Sequence, residues 1–159
     1  MNHTSNDSSG FMEFPSGTSS SQLLPIDDTY SHREELYSSP EGFTCLFRAR
    51  RYGRLYILKA LKSEYRGVPL YEQALRKEFD IACPLEHSHI CRMVSWETLP
   101  DLGSVIVMEY IDGITLKEFM EQQGVLKWKD AIHFIIQVLR ALQHAHDKGI
   151  VHRDIKPQN

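Results

Sequence analysis

The last eight residues of the chain read His152-Arg153-Asp154-Ile155-Lys156-Pro157-Gln158-Asn159, and this stretch decides the fold. It follows a long apolar segment with helical spacing, and Gly149 can end that helix, so a loop at a helix exit is predicted. Pro157 prevents a helix from continuing and favours an extended Lys156. The loop presents a carboxylate, an ammonium and an amide close together. Phosphoryl transfer needs such a set to orient a hydroxyl, neutralise a phosphoryl group and bind magnesium.

A lysine and a glutamate upstream face inward from two predicted elements. Residues 43–61 are predicted to form two strands joined near Tyr52-Gly53, and Lys59 shares a face of the second strand with apolar residues. Taken alone, Lys59 would fit a strand-end lysine that reaches water. However, Pro69 can open a helix that Pro84 closes, and Glu78 lies on its apolar stripe. Because an inward-facing charge is costly without a partner, Lys59 and Glu78 are expected to pair.

These elements together resemble the eukaryotic-type protein kinases. Residues 152–159 are spelled as the H-R-D-x-K-x-x-N catalytic loop, residues 56–59 stand where V-A-I-K does, and residues 85–90 resemble L-x-H-P-N-I. Lys156 follows Asp154 by two positions, as in the serine/threonine branch. The resemblance covers roughly residues 36–159. It implies an α+β, two-lobed fold with an antiparallel sheet plus one helix, followed by a helical lobe that is incomplete here.

The resemblance also implies a set of site residues. Asp154 would orient the attacking hydroxyl, Lys156 would neutralise the γ-phosphoryl group, and Asn159 would bind Mg²⁺. Lys59, held by Glu78, would contact the α- and β-phosphates of ATP. The apolar run Ser104–Tyr110 is predicted to be a buried strand that leads into the hinge. The adenosine site would then comprise Leu46, Ile57, Met108, Glu109, Ile111 and Thr115. The implied reaction transfers the ATP γ-phosphoryl group to Ser or Thr hydroxyls of a protein substrate.

The sequence departs from the family in three places. The glycine positions of the phosphate-covering loop are occupied by Ser39, Glu41 and Thr44, and Ile57 replaces a small alanine. The D-F-G motif, which carries the second magnesium ligand, does not occur after Asn159, so residues 1–159 are expected to be inactive alone. Two alternatives to a kinase therefore stay open: a pseudokinase-type binding module and a truncated remnant without activity.

Composition bounds the partners and the setting. The net charge of −3 and the 25% of charged residues give no reason to expect nucleic acid or membrane partners. No apolar run approaches a membrane span, and the N-terminus lacks the basic start and apolar core of a signal peptide. Cys45, Cys83 and Cys91 form no C-x-x-C pair, which fits reduced thiols in the cytoplasm. A zinc site built from Cys83, His87, His89 and Cys91 is a weaker alternative, because the spacing fits no common zinc knuckle.

Three regions are predicted along the chain. Residues 1–30 contain seven Ser and four acidic residues without Lys or Arg, which indicates a disordered tail. Residues 31–113 would form the sheet-containing lobe with the hinge, and residues 114–159 the start of the helical lobe. In the latter, a short helix over Leu116–Gln123 precedes a long one over Trp128–Asp147. The long helix is apolar over much of its girth and is expected to be buried on more than one side.

Overall fold

The computed structural model describes residues 29–158, and the tail prediction falls mostly outside this range. The elements, in chain order, are β1 (Ser31–Ser38), β2 (Thr44–Arg51), β3 (Arg54–Leu61), α1 (Pro69–Ala82), β4 (Met93–Leu99), β5 (Gly103–Glu109), α2 (Leu116–Gln123) and α3 (Trp128–His146). A short 3-10 turn, Ser63–Tyr65, lies between β3 and α1. The predicted α+β fold is confirmed.

All strands belong to one antiparallel sheet in the order β1-β2-β3-β5-β4. The β2–β3 hairpin turns at Tyr52 and Gly53, both with positive φ (50° and 74°), a conformation that glycine adopts without steric cost. The sequence pattern predicted this hairpin and placed its turn correctly. It did not predict β1, which is an edge strand with an exposed, polar sequence.

Apolar residues cover both faces of the sheet because the strands alternate. Leu58, Val105 and Val107 lie in a cluster on one face, together with the buried ring of Tyr30. Ile106 and Leu61 lie in a second cluster, where Leu75 packs against them from α1. Tyr30 had been assigned to the tail, but it is only 4% exposed. Its hydroxyl donates to Glu97 of β4 (3.0 Å), so the core begins before β1.

The two C-terminal helices follow the sheet and touch each other and the loop after α1. The rings of Phe119 and Phe134 lie 6.1 Å apart, which joins α2 to α3. Lys148, just after α3, donates through Nζ to the carbonyl of Pro84 (2.9 Å). The predicted burial of α3 on several sides is not found within residues 29–158. Its apolar residues Ile132, Ile135, Ile136 and Leu139 are exposed, and only Ala145 is buried. No helix in the described part of the chain combines the length and apolarity that crossing a membrane requires.

Candidate active site

An ion pair between the sheet and α1 forms the first part of the site. Alternation along β3 turns Lys59 toward the face on which α1 packs, and Glu78 lies one turn after the buried Leu75. The Lys59 Nζ atom lies 2.6 Å from Glu78 Oε1 and 2.8 Å from Oε2. The structure therefore contains the ion pair that the strand and helix patterns predicted.

Apolar side chains lie beside this ammonium on the same face of the sheet. Leu46 of β2 is directly opposite Lys59, and Met108 of β5 is directly opposite Ile57. Cross-strand partners share a face, so Leu46, Ile57 and Met108 surround the lysine stem. An apolar surface next to a paired ammonium suits a ligand with a flat apolar ring and an anionic group.

The chain leaves β5 at Glu109, which is fixed by three contacts. Its amide donates to the carbonyl of Arg92 (3.0 Å), its Oε1 accepts from the amide of Arg92 (2.7 Å), and its carbonyl lies 3.8 Å from Cys91 Sγ. Burial, followed by the charge of Glu109, raises the pKa of the Cys91 thiol to about 11. Ile111 follows the strand and is exposed, which leaves its backbone accessible.

Thr115, the predicted ribose neighbour, caps α2. Its Oγ1 accepts from the amide of Glu118 (3.2 Å), and Glu118 Oε2 accepts from the amide of Thr115 (2.7 Å). This reciprocal capping box satisfies donors at the start of the helix. The hydrogen bond from the Thr115 backbone holds the pKa of the Glu118 carboxyl below its usual range. The sequence analysis had not assigned this capping role.

The predicted catalytic loop leaves α3 through Gly149, which has a φ of 73°. Arg153 also has a positive φ (66°), an uncommon conformation for a residue with a side chain, directly before Asp154. The amide of Asp154 donates to His152 Nδ1 (3.2 Å), and Lys156 Nζ lies 2.8 Å from Asp154 Oδ2. The carbonyl of Pro157 accepts from the amide of Lys117 (2.9 Å), which ties the loop to α2. Both charged side chains are exposed.

Two predicted metal assignments have different outcomes. Asn159 lies outside the described residues, so its magnesium role stays a prediction. Within residues 29–158, no group of three or more His, Cys, Asp or Glu side chains is arranged to hold a metal ion. The alternative zinc cluster is divided in the structure, since Cys91 contacts Glu109 while the ring of His87 lies 5.3 Å from those of His89 and His144.

Sequence reasoning missed a contact at the edge of the same face. Arg48 of β2 lies two residues after Leu46, with its guanidinium 6.0 Å from the Tyr110 ring and 2.6 Å from Glu34 Oε2. Hydrogen bonds to Tyr110 and then to Glu34 raise the pKa of Arg48 further above its already high value. Strand alternation could have placed Arg48 on this face, but the sequence gave no indication of its partners.

A five-stranded antiparallel sheet, a helix that pairs with a strand lysine, and an exposed loop with an acid and a lysine after the third helix define a protein-kinase-like architecture. The family model for the protein kinase domain matches residues 41–159. The chain therefore belongs to the protein kinase domain family.

Curated relatives are named serine/threonine-protein kinases. PrkC of Bacillus subtilis is 37% identical over 102 residues, which cover 64% of this chain and 16% of PrkC. PknB of Mycobacterium tuberculosis is 34% identical over 137 residues, or 84% of this chain and 22% of PknB. A probable serine/threonine-protein kinase of Clostridium perfringens is 36% identical over 118 residues, covering 74% of this chain and 17% of that protein. The chain thus spans roughly a fifth or less of these relatives.

Solved kinase structures share the fold. The kinase domain of Mycobacterium tuberculosis PknI superposes with a TM-score of 0.63 at 24% identity, covering 86% of this chain and 57% of PknI. Rad53 1-466, solved in complex with AMP-PNP, gives a TM-score of 0.63 at 21% identity, over 80% of this chain and 33% of Rad53. At these identities the superpositions support the fold alone.

Proposed function

We propose that this chain is part of a serine/threonine protein kinase that transfers the γ-phosphoryl group of ATP to protein Ser or Thr hydroxyls. The observation that carries the proposal is the ion pair of Lys59 with Glu78 beside the apolar face of the sheet. An ammonium oriented by a carboxylate can bind phosphate oxygens without moving, which is the type of preorganisation that phosphoryl transfer requires.

The nucleotide would bind with its base on the apolar face. Leu46 and Ile57 would cover the base, and Met108 would bound the pocket at the back. The backbone of Glu109 and of Ile111 would supply a carbonyl and an amide to its edge. Thr115 would lie near the ribose, where its position is fixed by the capping box. ATP supplies the phosphoryl group, while these residues determine its position.

The polar loop would act on the acceptor side. Asp154 would accept the proton of the substrate hydroxyl and orient its oxygen toward the γ-phosphorus. Lys156, now paired with Asp154 at 2.8 Å, would place its ammonium against the γ-phosphoryl oxygens. Asn159 would contribute an amide oxygen to Mg²⁺, a ligand type that magnesium accepts. Three cysteines without disulfides support a reducing setting such as the cytoplasm, where ATP is available.

Phosphoryl transfer from labelled ATP tests this proposal in the protein made from the longest reading frame that contains residues 1–159. A mixture of Ser- and Thr-containing peptides serves as the acceptor, and phosphoamino acid analysis identifies the product. Lys59→Met and Asp154→Asn should each abolish incorporation. Asp147→Asn, which alters an exposed carboxylate just after α3, is the matched control and should retain activity. Incorporation that survives Asp154→Asn, or nucleotide binding without any transfer, would overturn the proposed activity.

A further inference from the structure

The loop between β1 and β2 is closed by a serine side chain. The amide of Ser39 donates to the carbonyl of Thr44 (3.3 Å), and the amide of Gly42 donates to Ser39 Oγ (2.9 Å). In glycine-rich phosphate loops, free backbone amides face the ligand. Here the Gly42 amide is already occupied by Ser39, so that donor is unavailable without breaking an internal hydrogen bond.

Ser39 and Gly42 also fit each other sterically. A Cβ atom on Gly42 would lie 2.4 Å from Ser39 Oγ and 2.8 Å from Ser39 Cβ, closer than real Cβ contacts. The intervening sequence, Ser39-Pro40-Glu41-Gly42, has serine, proline and glycine at the positions that favour a turn. The two residues therefore form one unit, in which glycine is required because the hydroxyl takes the space of a side chain.

This unit lies beside the ion pair. Thr44 is opposite Leu61, two residues after Lys59, and the carbonyl of Phe43 accepts from the amide of Lys62 (2.9 Å). The Phe43 ring lies 5.2 Å from that of Tyr71 on α1, the helix that carries Glu78. The loop is thus anchored both to the strand of Lys59 and to the helix of Glu78.

We propose that the Ser39 hydroxyl is a phosphate-binding group of this chain, replacing backbone donors of a glycine-rich loop. A hydroxyl can accept one hydrogen bond and donate another. Ser39 Oγ accepts from the Gly42 amide and donates its own hydrogen to a phosphate oxygen of a nucleoside triphosphate held by Lys59. The bond to a charged oxygen is of the stronger, charge-assisted type. This inference rests on the proposed nucleotide binding.

Calorimetric titration of the 159-residue chain with Mg²⁺-AMP-PNP and, separately, with adenosine tests the assignment. Ser39→Ala should weaken AMP-PNP binding by about 10- to 100-fold, the loss expected for a hydrogen bond to a charged group. Adenosine binding should change by less than about twofold, because adenosine has no phosphate. Ser39→Thr keeps the hydroxyl and should restore binding. Ser38→Ala, at the exposed end of β1, is the matched control and should behave as the unchanged chain.

Gly42 provides a second test that does not remove the hydroxyl. Gly42→Ala should weaken AMP-PNP binding as Ser39→Ala does, because the added methyl group displaces Ser39 Oγ. In a Ser39→Gly background the same change should have little effect, since the clashing side chain is gone. If AMP-PNP binds with a Lys59-dependent affinity and Ser39→Ala leaves it unchanged, the role of Ser39 is refuted while the proposed function stands. If AMP-PNP does not bind at all, both are refuted.

Discussion

Removing the Lys59–Glu78 ion pair should reveal an energetic coupling that its surroundings determine. Lys59→Met keeps an apolar stem without charge, and Glu78→Gln keeps the shape of the carboxylate. Each single change leaves one partner without its counter-charge on a partly buried face. The double change removes both charges, so its cost should be smaller than the sum of the single costs.

The expected coupling follows from the partial exposure of the pair. Breaking a fully buried ion pair costs about 3–5 kcal/mol, whereas exposed pairs contribute about 0.2–1 kcal/mol. The side chains of Lys59 and Glu78 are 22% and 37% exposed, and both carboxylate oxygens contact the ammonium. Screening by solvent therefore reduces the value, and we expect a coupling of about 1–2 kcal/mol.

Urea unfolding of the four chains in the cycle measures this coupling. The control is a cycle on Lys117 and Glu121 of α2, which repeats the same residue types with Nζ and Oε1 3.7 Å apart and side chains 52% and 63% exposed. That cycle should give no more than about 0.5 kcal/mol. Additive effects at Lys59 and Glu78, or a coupling no larger than that of the control, would refute the proposed energetic role of the pair.

Three further predictions concern α3, the α2 cap and a thiol. Ile135→Gln combined with Leu139→Gln should reduce self-association in sedimentation experiments, because both apolar residues are exposed on α3; unchanged association would place the sticky surface elsewhere. Thr115→Ala should lower the free energy of unfolding by about 1 kcal/mol, as loss of a helix cap does, and speed amide exchange at the start of α2. Because the folded-state pKa of Glu118 is lowered, its contribution is present above the ordinary glutamate pKa and is lost as the pH falls through the lowered value. Thr115→Ala should flatten that acid dependence of stability, and an unchanged slope would contradict the cap. Cys91, with a pKa of about 11, should react with iodoacetamide at pH 8 far more slowly than free glutathione, as mass spectrometry can measure; equal rates would contradict its burial.

The part of the fold that could be predicted from sequence is the part where one face is buried. Alternation in β3 identified the face of Lys59, and apolar spacing in α1 identified the side of Glu78, since both patterns reflect burial against the same interior. β1 escaped prediction because its side chains are mostly exposed and its pairing with β2 satisfies the backbone rather than an apolar face.

Two site features depend on tertiary contacts that no local pattern encodes. The partners of Arg48, Glu34 and Tyr110, come from a strand and a segment far apart in the chain, so only the assembled sheet brings them together. Ser39 is different, because the spelling Ser39-Pro40-Glu41-Gly42 already favoured a turn. That signal was available, but the comparison with glycine positions led to Ser39 being interpreted only as a lost glycine.

The most direct test of the account locates the nucleotide on the chain by NMR. Mg²⁺-AMP-PNP is titrated into isotopically labelled protein, and amide shifts are followed along residues 29–158. The account predicts that the largest shifts cluster at Gly42, Lys59, Glu78 and Ile111, and that Lys59→Met removes them. Shifts confined to other surfaces, or shifts at these residues that persist in Lys59→Met, would contradict a nucleotide site organised around the Lys59–Glu78 pair.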